Sequence, residues 1–185
     1  IADRQYMVIS LLGAPVLAVL LAFFTRNVSG ESYILRENEN LPAYMFMCVI
    51  TAFFMGLIIS AEEIVKDRKI LKRESFLNLS WFSYINSKVS MMFLVSAVQT
   101  LSFVIAGNLI LGIKGMTLTY WIILFSSSCL ANLIGLNISS AFNSAATIYV
   151  LIPFIIIPQL LFSGVLVKFD SLHRKEGTSI EYVPV

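Results

Sequence analysis

The sequence predicts an all-α membrane protein, and three observations carry that reading. Of its 185 residues, 58% are hydrophobic and only 13% charged, against about 25% charged in soluble domains. The apolar residues gather in long uncharged runs, 5–25, 40–61, 89–113 and 115–167, where a membrane-crossing helix needs roughly 20 residues. Nothing in the runs alternates: Leu17-Ala18-Val19-Leu20-Leu21-Ala22-Phe23-Phe24 is unlike the strands of a membrane barrel, about 10 residues each with every second one polar. The last run is long enough for two crossings and a turn, so five transmembrane helices are expected. Cys48 and Cys129 fall inside them and act as small apolar residues.

The first span, about 6–25, contains Gly13 and Pro15, which lipid-embedded helices tolerate, with a kink expected near the proline. The polar connection 26–41 holds an Asn27-Val28-Ser29 acceptor pattern that occurs often by chance. The chain starts at Ile1 rather than Met, and its first run exceeds the signal-peptide core of about 7 to 15 residues. It is therefore read as a piece of a larger protein. The second span, about 42–61, opens on Pro42, whose missing N–H costs nothing in a first turn.

Glu62-Glu63-Ile64-Val65-Lys66-Asp67-Arg68-Lys69-Ile70-Leu71-Lys72-Arg73-Glu74 follows, dense in charge and free of Gly and Pro. It predicts an amphipathic connecting helix over about 62–80. Ala61, Ile64, Val65, Leu71, Phe76 and Leu79 share an arc of about 140°, with Arg68 and Lys72 intruding and Ile70 and Leu77 opposite. Such a helix lies along the membrane surface with its cationic heads reaching outward. Positive residues in short loops favour the cytoplasm. Lys66, Arg68, Lys69, Lys72, Arg73, Lys88 and Arg4 fall on one side, 7 in all, against 6 on the other, Arg26, Arg36 and Lys114 in the loops with Lys168, Arg174 and Lys175 in the tail; the tail is not an independent loop signal, and without it the balance is 7 against 3. The connecting helix and the amino terminus are thus expected to be cytoplasmic.

The third span, about 84–111, carries Gln99 and Asn108; the fourth, about 118–136, carries Ser126, Ser127, Ser128 and Asn132. The polar break 137–144 is read as a cytoplasmic turn. The fifth span, about 146–167, contains Pro153, Pro158 and Gly164, so its end is expected to be irregular. Residues 168–185 form an external polar tail.

Chemistry is sparse. No acidic or basic residue sits near the middle of a span, where ion-driven carriers hold their coupling ion, and no phosphate-binding Gly-rich loop is present. Energy must arrive from outside the chain. The lone His173, near Asp170, has no nucleophile or metal partner at motif spacing, so no catalytic residue, metal site or bound cofactor is expected. The net charge of +2 gives no reason to expect nucleic acid. Gly56, Ser60, Ser96, Ala97, Gly107 and Gly135 are read as packing contacts, and Phe53 and Phe54 as packing or lipid-facing residues.

Two blocks carry a resemblance. Ser60 to Glu74, followed by Leu77-Asn78-Leu79-Ser80, Tyr84 and Ser87-Lys88, resembles the connecting helix and third-span start of ATP-binding-cassette exporters of the G, or White, subfamily, in its prokaryotic branch. Leu161-Phe162-Ser163-Gly164-Val165-Leu166-Val167 resembles the Phe-Ser-Gly-Leu-Leu-Val end of that family's fifth span.

The resemblance implies a half-transporter, homo- or heterodimeric around a central pathway, in a bacterial inner membrane. ATP and Mg would be held by an ATPase domain on the same polypeptide, and the cargo would be a hydrophobic or amphipathic compound or lipid. It implies a coupling role for Glu62, Lys66, Asp67, Arg68, Arg73 and Glu74, whose ion pairs keep the connecting helix rigid. It matches the pathway to Thr51, Ala52, Met55, Ile156, Ile157 and Leu160, and an upper valve to Val165 and Leu166. Met55 stands where relatives carry an aromatic residue, which argues against planar polyaromatic cargo. The family's sixth span is expected beyond Val185. A scaffold or sensor subunit that docks a cytoplasmic partner without transport is the alternative. Charge reversal at Arg68 and Arg73 separates the two, since a scaffold has no coupled ATP turnover to lose.

Overall fold

The computed structural model describes residues 2–25, 41–74, 80–113 and 115–163. The connection 26–40, the end of the expected connecting helix at 75–79, the valve residues Val165 and Leu166, and the tail 168–185 lie outside the described residues. The described chain forms six helices and no strand: α1 (Ala2–Thr25), α2 (Leu41–Ala61), α3 (Glu63–Glu74), α4 (Trp81–Leu111), α5 (Thr117–Ala141) and α6 (Ala145–Phe162). It is an all-α membrane protein. The Pro42–Lys72 stretch, α4 and α5 are long and apolar enough to cross a bilayer, and shorter apolar helices cover Leu11–Thr25 and Ala145–Leu161.

In lipid the hydrophobic effect does not drive helices together, so close backbone approach through small residues does. On α1, Ala14, Ala18 and Ala22, four residues apart on one face, are buried, while Leu12, Val16, Phe23 and Phe24 face outward. The alanine stripe packs into a cluster with Tyr44, Cys48 and Ala52 of α2 and Phe103 and Val104 of α4. The most extensive pair, α2 with α5, meets at glycines on both sides. A Cβ on Gly56 would sit 2.7 Å from the Ser128 carbonyl oxygen, and one on Gly135 would sit 3.0 Å from Ser60 Cβ. Gly107 of α4 plays the same part against the Tyr44 ring and hydroxyl.

Polar side chains bind α4 to α5 within the bundle. Asn132 Nδ2 donates to Ser96 Oγ at 2.8 Å, and Ser128 Oγ donates to the same oxygen at 3.0 Å, with all three residues fully buried. Trp121 Nε1 donates to the Ala97 carbonyl at 3.2 Å. At the far end Asn108 Nδ2 reaches Thr117 Oγ1 at 3.0 Å. There α4 stops at Gly112, whose φ of 66° is the left-handed cap that glycine adopts without a Cβ penalty.

Two boundaries differ from the sequence expectation. Helix α4 begins at Trp81, before Tyr84. Helix α5 runs to Ala141, leaving only residues 142–144 as the turn. The polar residues read as a break stay helical because their side chains bond back into the helix: Asn137 Nδ2 to the Leu133 carbonyl at 2.8 Å, and Ser140 Oγ to the Asn137 carbonyl at 2.7 Å. At 1.5 Å per residue α4 is about 46 Å long, well over the roughly 30 Å hydrocarbon core.

Candidate functional site

The ends of α2 and α5 and the starts of α4 and α6 meet at one end of the bundle, around α3. A helix start leaves its first N–H groups without intrahelical partners. In α3 the remedy comes from another helix, for the Ile64 and Val65 amides donate to Ser139 Oγ of α5 at 3.0 and 3.2 Å. The last carbonyls of α5 are orphaned in the same way and carry the negative end of the helix dipole. Arg68 of α3 answers them: Nη2 donates to the Ser140 and Phe142 carbonyls at 2.6 and 3.0 Å, and Nη1 to Asn143 Oδ1. Each helix thus caps the other.

A second contact ties α3 to α4. Lys88 Nζ lies 2.7 Å from both Glu63 Oε1 and Asp67 Oδ2, and Tyr84 donates its hydroxyl to Asp67 Oδ2 at 3.0 Å. A third involves Glu62, in the turn between α2 and α3, which pairs with Lys66 at 2.7 Å. Burial alone would raise the Glu62 carboxyl, but hydrogen bonds from Lys66 and Tyr149 of α6, with the Lys66 charge, outweigh it and hold the group below its ordinary value.

Of the residues proposed for coupling, Glu62, in the turn before α3, and Lys66 form a local ion pair four residues apart. Asp67 and Arg68 instead reach out to α4 and to the α5–α6 turn. The side chains of Arg73 and Glu74 lie outside the described residues. No part in this junction was expected of Glu63, Tyr84, Lys88, Ser139, Asn143 or Tyr149. One signal was available, since Glu63/Asp67 and Tyr84/Lys88 are both spaced four apart and oppositely equipped. Ser139 and Asn143 act across some 75 positions, and no local pattern marks them.

The six pathway residues do not gather into one cluster within a single chain. Ala52 and Met55 turn toward α1, α4 and α5, lining a narrow crevice with Ala14, Gln99, Thr100, Phe103 and Ser128. Thr51 donates its hydroxyl to the Met47 carbonyl of its own helix at 2.7 Å. Ile156 is buried with Phe53 and Leu57 on the other side of α2, where Leu160 also packs, while Ile157 is exposed. Among the described residues no group of three or more metal-ligating side chains forms. The small residues read as packing contacts do lie in helix interfaces, Gly56, Ser60, Ser96, Gly107 and Gly135 all being buried.

Compared with known protein families, residues 1–177 match the one described as ABC-2 type transporter. No curated protein and no solved structure matches the chain.

Proposed function

The chain belongs to the ABC-2 type transporter family and is the transmembrane part of an ABC transporter; from that premise we propose that it is the permease half of an ATP-driven exporter of the G-subfamily type. Two copies, or this chain and a homologous partner, enclose the pathway. An ATP-binding domain on the same polypeptide, holding ATP and Mg, drives it. The amino terminus and α3 face the cytoplasm of a bacterial cell, and α1 and α6 cross the inner membrane together with α2, α4 and α5.

The observation that carries this reading is the junction around α3. A charged helix meant only to hold topology needs its cations in water. Here Arg68 is spent on the end of α5 and Lys88 on two carboxylates of α3. A push on α3 therefore reaches α4, α5 and the start of α6. Of the residues matched to the pathway, Thr51, Ala52 and Met55 lie on α2 and Ile156, Ile157 and Leu160 on α6; Ile157 is exposed and open to a second copy, whereas Ala52 and Ile156 are buried within the chain and would reach a pathway only if the helices moved. A hydrophobic or amphipathic cargo suits such surfaces.

The test is ATP turnover and ATP-dependent export of a fluorescent amphipathic probe by the full-length protein in inside-out vesicles. The wild type is expected to do both, and Arg68→Glu is expected to lose probe movement through broken contact with the α5–α6 turn. A wild type that neither hydrolyses ATP nor moves any probe, alone or with a co-expressed ATPase, overturns the exporter and favours the scaffold.

A further inference from the structure

We propose that Lys88 is the positioning residue that locks the connecting helix to the third span, so that α3 and the start of α4 move as one body. The inference rests on the transporter reading above and names the joint through which it acts.

The backbone of α3 packs against α5 and α2, whereas α3 and α4 are not among the closely packed pairs. Long side chains span the gap. Glu63 and Asp67 stand four apart on α3, and Tyr84 and Lys88 four apart on α4, so each helix turns two successive rungs of one face toward the other. Lys88 Nζ meets both carboxylates at 2.7 Å, and the Tyr84 hydroxyl meets Asp67 at 3.0 Å. One contact between two rods leaves them free to swivel. Contacts on successive turns of both rods fix rotation and sliding together.

Lys88 is the member that cannot be spared. Its ammonium has three donors and serves both acids at once, whereas without it two carboxylates one turn apart face each other with no cation between them. Its side chain is 23% exposed, and those of Glu63 and Asp67 are 27% and 28% exposed, so water screens the group only in part. Helix α4 does not need the joint to find its place, because the Ser96–Ser128–Asn132 cluster, the Trp121 bond and the alanine stripe of α1 already hold it. What Lys88 adds is the bond to α3.

The experiment uses the full-length protein with its ATPase, in lipid nanodiscs. Spin labels go at Ile70 of α3 and Met91 of α4, both exposed, and distance distributions are recorded without nucleotide and with ATP and vanadate. In the wild type the distribution is expected to be narrow and the same in both states. Lys88→Met is expected to broaden it about twofold and to make it nucleotide-dependent, and Lys88→Arg, which keeps a fork able to reach both carboxylates, to restore the narrow form. Should Lys88→Met fail to accumulate, Glu63→Gln with Asp67→Asn removes the same bonds from the other side. A Lys88→Met distribution as narrow as the wild type overturns the joint, as does a Lys88→Arg distribution as broad as Lys88→Met. Loss of ATP hydrolysis in the wild type itself points to failure of the transporter reading instead.

Discussion

Replacing Gly56 by Ala tests the close α2–α5 contact on which the bundle is built. The added Cβ would lie 2.7 Å from the Ser128 carbonyl oxygen and 3.0 Å from both Ala131 Cβ and Ser128 Oγ. Neither the carbonyl nor the alanine methyl can rotate away, so the helices must part by about 0.7 Å, a gap that forfeits a quarter to a half of each dispersion contact along the seam. Overpacking of this rigid kind costs about 2–3 kcal/mol, and the better helix propensity of Ala returns about 1 kcal/mol. The net expectation is a loss of about 1–2 kcal/mol, or a fall in melting temperature of about 2–8 °C for a domain of this size. The assay is thermal unfolding of the detergent-solubilised membrane domain, followed by circular dichroism. Gly13→Ala is the internal control, since its Cβ would meet only the flexible end of Met55 at 3.6 Å and should leave the melting temperature level or raised. If Gly56→Ala melts no lower than Gly13→Ala, close approach at this glycine is not what holds α2 to α5.

Ser139→Ala removes the cap that α5 supplies to α3; at about 1–2 kcal/mol for a cap, amide exchange at Ile64 and Val65 should quicken about five- to thirtyfold, read by hydrogen–deuterium exchange. Arg68→Lys keeps the charge but loses the fork that reaches two carbonyls and Asn143, so exchange should rise across residues 142–145 while α4 is unaffected. Asn132→Leu should cost about 1 kcal/mol or less, since a buried interhelical bond is worth about 0.6 kcal/mol on average in lipid and Asn132 Oδ1 has no partner to lose. Combined with Ser96→Ala in a double-mutant cycle of melting free energies, it should be non-additive by at least about 0.5 kcal/mol, because both changes break the same bond.

The all-helical architecture was legible because the bilayer imposes it: a run such as 89–113 with no charge has few other ways to satisfy its backbone. The charged helix after α2 was legible for the same kind of local reason, and over the described residues its apolar arc lies where the spacing put it, with Ala61, Ile64 and Leu71 buried and Ile70 exposed, while Phe76 and Leu79 of that arc lie outside the described residues. The partners of its charges were not legible. Lys66 has an acid one turn away and takes it, a choice visible in the sequence. Asp67 and Arg68 have nearby charges on their own helix as well, yet bond to residues on α4 and at the end of α5. Periodicity ranks neighbours along one helix and is silent about which other helix passes by. The turn after α5 was misplaced for a related reason, because Asn137 and Ser140 are polar enough to end a helix but spend that polarity on carbonyls of their own.

The junction and the proposed pathway would meet at α6. Helices α1, α2, α4 and α5 hold one another through small residues and buried hydroxyls, but α6 packs closely with α2 and only lightly with α5, and proline replaces two of its amides. Its start is fixed instead by the junction: Arg68 holds the Phe142 carbonyl and Asn143 just before it, and Tyr149 bonds to Glu62. Tyr149 and Ile156 are two turns apart on one side of the helix. A displacement of α3 therefore meets least resistance along α6, and Ile156, Ile157 and Leu160 would be carried with it. Among the five apolar helices, the one packed least against the others is the one whose position the charged joint can set.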